Sequence, residues 1–205
     1  MKYSIAALAL LGAAVQAGPV PALRDFGTEV LATFDDRTAI PAVSLINPVG
    51  NYKGLNWKAL DILQAGLNGQ GAVIAQSGAN VAANGVPDTI RDGGISITAQ
   101  SVKSFDLHYA YFGCVVDTVE TAASVPQACT IAFSAYKKGQ SEVYKTVNVQ
   151  FNPSNPLISK MTKATFDSSF AGLDRVDVAV VGGLTPSALT GLLIDNVQYR
   201  TYGSK

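Results

Sequence analysis

The chain is poor in reactive side chains and in charge. Its 205 residues include one histidine, two cysteines and one tryptophan, and only 15% are charged. The single histidine, His108, has no Gly-x-Ser-x-Gly nucleophile elbow to serve, so a hydrolase triad is not expected. It also leaves no histidine set for zinc. The only glutamates are Glu29, Glu120 and Glu142, and no Glu-x-Asp-x-Glu strand offers the paired carboxylates of a jelly-roll glycosidase. No Lys/Arg block exists, so nucleic acid and anionic membranes have no electrostatic basis as partners. No run of 18 apolar residues is present, which removes a membrane-spanning helix. The one near-sequon, Asn152-Pro153-Ser154, carries proline in its middle and is not a glycosylation acceptor. A non-catalytic protein is the expectation these absences leave.

What is present begins with Met1–Ala17, MKYSIAALALLGAAVQA: one lysine, a short apolar run, then small residues around Gln16. That pattern predicts a secretory signal peptide, a mature start near Gly18 and an extracellular destination. Gly18 in that place also denies the amino-terminal histidine that oxidative copper enzymes need. Residues 18–205 suit one domain, large enough to fold around its own core. Without Lys2 the chain holds 14 basic against 15 acidic residues, a net charge of about −1. In an oxidising compartment Cys114 and Cys129 are expected to pair. A loop of about 15 residues closed this way gains roughly 3 kcal/mol in chain-entropy models.

Period-two alternation dominates after residue 100. Phe105, Leu107, Tyr109 and Tyr111 form one apolar parity, with His108 and Asp106 opposite. Cys129, Ile131, Phe133 and Ala135 form a second, Val143, Val147, Val149 and Phe151 a third, and Val176, Val178 and Val180 a fourth. Each predicts a half-buried antiparallel strand. Lys137-Lys138-Gly139-Gln140 reads as a hairpin turn, and a last strand is expected near residues 192–202. Earlier strands are expected at 28–34, 58–64 and 90–98, the last with a bulge at Gly93-Gly94. The segment 66–87, rich in Gly, Asn and Ala, reads as mostly loop. About ten short strands with turns between them predict an all-β, single-domain antiparallel β-sandwich (jelly roll) with one disulfide.

Four short motifs follow one another along the mature chain: Phe34-Asp35-Asp36; Asn51-Tyr52-Lys53-Gly54-Leu55-Asn56-Trp57; Ser77-Gly78-Ala79-Asn80 with Asn84; and Leu193-Ile194-Asp195-Asn196-Val197. Their order resembles secreted fungal proteins of a jelly-roll, galactose-binding-like type, similar in layout to non-catalytic carbohydrate-binding modules. In similar modules a structural calcium often joins an early acidic segment to an aspartate of the last strand. The resemblance therefore implies Asp35, Asp36 and Asp195 as metal ligands. Calcium needs only oxygen donors, so the scarcity of histidine does not remove it. The competing reading is an Asp195 bonded to backbone amides or to Asn196.

Sugar recognition needs an aromatic face and amide or carboxylate groups for hydroxyls. Tyr52 and Asn56, with Asn80 and Asn84 from the next loop, supply those types as ligand-binding residues. A lone tryptophan in a sandwich is more often core than platform, so Trp57 is expected beneath them. Tyr136 and Tyr144, flanking the 137–140 turn, form a second aromatic patch to consider. The expected partner is an extracellular glycan or cell-wall polysaccharide; the alternative is an effector-like or structural protein whose sandwich binds another protein. Exposed aromatics clustered with amides favour the first. Burial of both Tyr52 and Trp57 favours the second.

Overall fold

The computed structural model describes residues 26–39, 47–66, 73–85, 92–116, 125–183 and 189–204. The expected leader, residues 1–17, lies outside the described residues. Thirteen strands occur among those described: β1 Thr28–Ala32, β2 Pro48–Tyr52, β3 Leu55–Gln64, β4 Val73–Ile74, β5 Asn80–Asn84, β6 Ile95–Ala99 and β7 Val102–Val116, then β8 Cys129–Lys137, β9 Lys145–Phe151, β10 Ser159–Lys160, β11 Thr162–Thr165, β12 Leu173–Gly183 and β13 Thr190–Ser204. All pair antiparallel except β4 with β10. The β7–β13–β5–β3–β6–β12 series returns to β7 through Leu173 and Phe105, which closes six strands into a ring at the centre of the sandwich. Closure removes most of the free edges that an open sheet would present.

β3 makes that closure possible by serving both sides. Its first half, Leu55–Lys58, pairs with β6, and its second half, Asp61–Gln64, pairs with β5. The strand turns at Ala59, which holds a left-handed φ of 57°. Asn84 Nδ2 donates to the Ala59 carbonyl at 2.8 Å and satisfies the corner. β5 falls inside the segment read as loop from its composition. Its five residues, Asn-Val-Ala-Ala-Asn, are all buried, and small side chains are what a strand packed between β3 and β13 requires. Gly93 and Gly94 precede β6 rather than bulging it.

The alternation of β8 and β12 is as expected: Ile131, Phe133, Val176 and Val178 point into the core. β7 departs from its parity. Phe105 and Leu107 are buried, but so are Ala110 and Phe112, which have the opposite parity. Against β13, Leu107 pairs with Tyr199, Tyr109 with Gln198 and Tyr111 with Asp195, so each strand carries an irregularity. On β13 the extra residue includes Asn196, with φ 45°. A one-residue shift moves every later side chain to the other face. Tyr109 and Tyr111 therefore stand on the outer surface, half-buried, and not in the core as their spacing predicts.

The core is aromatic. Trp57, 1% exposed, meets Phe34 edge-on at 5.2 Å and Tyr199 at 6.2 Å, and its Nε1 donates to the Tyr52 carbonyl at 3.0 Å. Phe112, Phe133, Phe151, Phe166 and Phe170 form a second group. Cys114 and Cys129 are bonded, as the spacing and compartment predict, and both are buried. They tie β7 to the start of β8. The connecting segment is not wholly exposed: Gln127 is buried, with its N–H donating to the Cys114 carbonyl and its amide to Val115 and Thr190.

Candidate functional site

The motifs that suggested a metal do converge in part. Asp35, just beyond β1, and Asp195 on β13 both reach the loop before β5. Asp35 Oδ1 accepts from the backbone N–H groups of Ala79 and Asn80 at 3.0 and 3.1 Å, and its Oδ2 from Ser77 Oγ at 3.1 Å. Asp195, 0% exposed, accepts from Ser77 N–H at 3.0 Å and from Asn196 N–H at 2.6 Å. Ser77 Oγ also lies 2.7 Å from Asn196 Oδ1. Gly78 has φ 52°, and a Cβ there would overlap the Asp35 carboxylate. Only glycine allows this approach.

Burial pushes the Asp195 carboxyl up to about 6, the neighbouring Asp35 adds to the rise, and the amide donors oppose it. Asp36 leaves the group altogether: it accepts the Tyr52 hydroxyl at 2.5 Å and lies 4.0 Å from Lys53 Nζ. Amide and hydroxyl donors thus surround both converging carboxylates, and the third expected ligand points elsewhere. Among the described residues no group of three or more acidic, histidine or cysteine side chains is placed to hold an ion. Calcium does not fit this donor set; the aspartates fasten a loop.

The four expected sugar contacts are not a surface either. Tyr52 is 5% exposed, packed on Phe34 at 5.3 Å and flanked by Arg37 and Lys53 at 4.8 and 5.0 Å from its ring. Burial first, and then its bond to Asp36, raise its phenol well above the ordinary value. Asn80 is buried and donates to the carbonyls of Phe34 and Arg37, while Asn84 holds Ala59. Asn56 is half-exposed and bonded to Asn51. These amides close corners, as buried polar groups must. Of the second patch, Tyr136 lies under Arg175 at 3.7 Å and Tyr144 under Lys137 at 4.6 Å.

The outward turn of β7 builds a surface that sequence periodicity misses. Tyr109 and Tyr111 meet edge-on at 6.0 Å, and Lys163 from β11 sits over Tyr109 at 4.0 Å and 5.7 Å from Tyr111. The pairing register aligns Leu31, Gln198, Tyr109 and Thr165 across β1, β13, β7 and β11. At a strand spacing of about 4.8 Å, that row is about 14 Å long. Beside it, Glu29 takes Arg200 Nε at 2.6 Å and Gln198 Nε2 at 2.8 Å, with His108 Nε2 at 3.7 Å. Burial, the largest single influence, raises the Glu29 carboxyl, but the bonds to Gln198 and Arg200 and the nearby positive charge together outweigh it and lower it. Asp106 accepts from the Tyr202 hydroxyl and from Gly172 N–H, each at 2.6 Å. The one legible signal for this surface was the mixture of His108, Tyr109 and Tyr111 in a single strand.

No family model and no curated protein matches the sequence. Among solved structures, a DUF4465 family protein from Bacteroides caccae superposes with a TM-score of 0.56 at 6% identity, over 87% of this chain and 100% of that one. The CBM22-1 xylan-binding domain of Paenibacillus barcinonensis Xyn10C gives a TM-score of 0.37 at 13% identity, over 87% of this chain and 97% of that one. The K2 cleaved adhesin domain of Lys-gingipain gives 0.36 at 16%, over 85% and 98%. At 6% identity the likeness to the Bacteroides caccae protein is one of fold, and it supports an all-β domain of this kind.

Proposed function

We propose that this domain is a non-catalytic extracellular module that binds a glycan chain on the outer face of β1, β13, β7 and β11. The observation that carries the reading is the row Leu31–Gln198–Tyr109–Thr165 with Tyr111 beside it. A chain laid across the strands meets a new side chain about every 4.8 Å, close to the length of one sugar ring. The tyrosine faces suit the C–H surfaces of sugars, while Gln198 and the phenols suit their hydroxyls. The Cys114–Cys129 bridge agrees with an oxidising compartment.

Depletion of purified protein by a panel of insoluble and soluble polysaccharides tests the proposal. Wild type should be retained by at least one polymer, and Tyr109→Ala with Tyr111→Ala should release it without unfolding. Retention that survives the double change removes this face from the reading. A protein partner is the second reading, favoured by the burial of Tyr52 and Trp57 and by Leu31, which is exposed on the same row. It takes over if no polysaccharide is retained.

A further inference from the structure

We infer that the outer face prefers an acidic glycan, one bearing uronic-acid carboxylates, and that Lys163 reads that charge. The inference rests on the glycan-binding reading of the same face. Its two principal carboxylates are already engaged: Glu29 with Arg200 and Gln198, Asp106 with Tyr202 and Gly172. Lys163 differs. It has no carboxylate within ion-pair distance among the described residues, and its contacts are the two tyrosine rings. The hydroxyls of Tyr109 and Tyr111 likewise make no hydrogen bond among the described residues. One ammonium without a carboxylate and two phenols without a hydrogen-bond partner among the described residues therefore lie side by side.

A cation–π contact at an exposed site is weaker than a charge-assisted hydrogen bond to a carboxylate. A uronate would draw the ammonium off Tyr109 and open that ring to the sugar's C–H face. A neutral sugar must displace the same cation with nothing to receive it. Charge recognition and stacking are thus coupled through one flexible side chain.

The test uses polygalacturonate and its methyl-esterified form, which share a backbone and differ in charge, together with neutral polysaccharides. At moderate salt, wild type should bind the acidic polymer roughly tenfold more tightly than the esterified one. Lys163→Gln should reduce that ratio to near one with an unchanged melting temperature, and Lys163→Arg should restore most of it. Equal binding of both forms, or a preference that Lys163→Gln leaves intact, overturns the inference while the glycan reading stands. Failure to bind any polymer overturns both.

Discussion

Two polar clusters lie along β13, and they differ in what their side chains leave over. At Asp195 the carboxylates, Ser77 and the loop amides bond one another. Across from Asp195 and Gln198, the same strand borders Tyr111 and Tyr109, whose hydroxyls make no hydrogen bond among the described residues and whose rings carry the Lys163 ammonium. Both look like binding chemistry when read as residue types. The difference is hydrogen-bond satisfaction: a buried acid fully supplied with donors is holding the fold, and exposed donors without acceptors are available to a ligand.

The largest effect that tests this contrast is expected at Gly78. Alanine there brings an unfavourable φ and displaces Asp35 from three donors, so Gly78→Ala should cost about 3 kcal/mol in denaturant unfolding. A loss below about 1 kcal/mol would mean the loop is not fastened by Asp35.

The next is a pH effect. Asp195 is raised from an ordinary 3.8 to about 6, so the folded state holds this proton more tightly than the unfolded chain. Its share of stability is full below about pH 4, declines as pH rises through 6, and is then constant. The full magnitude is about 3 kcal/mol. Measurements between pH 5.5 and 7 keep out most of the Glu29 contribution, which has the opposite sign and varies only near and below its ordinary 4.5. Asp195→Asn should flatten that slope, and chelators should leave the wild-type melting curve in place. A chelator-sensitive curve would return calcium to the cluster.

The smallest stability effect belongs to the open cluster. Tyr111→Ala is expected to cost about 1–2 kcal/mol, because the ring is only partly packed against the core and its hydroxyl makes no hydrogen bond among the described residues. A loss of 3 kcal/mol or more would make it a structural residue and erase the contrast.

The regular parts of the fold were legible in the sequence. β8 and β12 alternate cleanly, the 137–140 turn joins β8 to β9, and two cysteines allow only one bridge. Trp57 was expected in the core and is there. β5 was not legible, since Asn-Val-Ala-Ala-Asn has loop composition and gains its strand from neighbours on both sides. Nor was the outward turn of Tyr109, because parity counting assumes an unbroken strand and β7 and β13 carry offset irregularities. Tyr52 misled for a related reason: its hydroxyl finds Asp36, 16 residues away, and the ring is drawn under with it.

Apolar patterning, turn residues and cysteine count act locally or without geometry, so the sequence by itself determined a disulfide-bridged all-β domain with Trp57 inside. The roles of its polar residues depended on partners far along the chain. Ser77 meets Asp195 across 118 residues, and Glu29 meets Gln198 across 169. Only the closed sheet brings those groups to bonding distance, and whether a carboxylate or a phenol remains available to a ligand depends on which donors arrive there first.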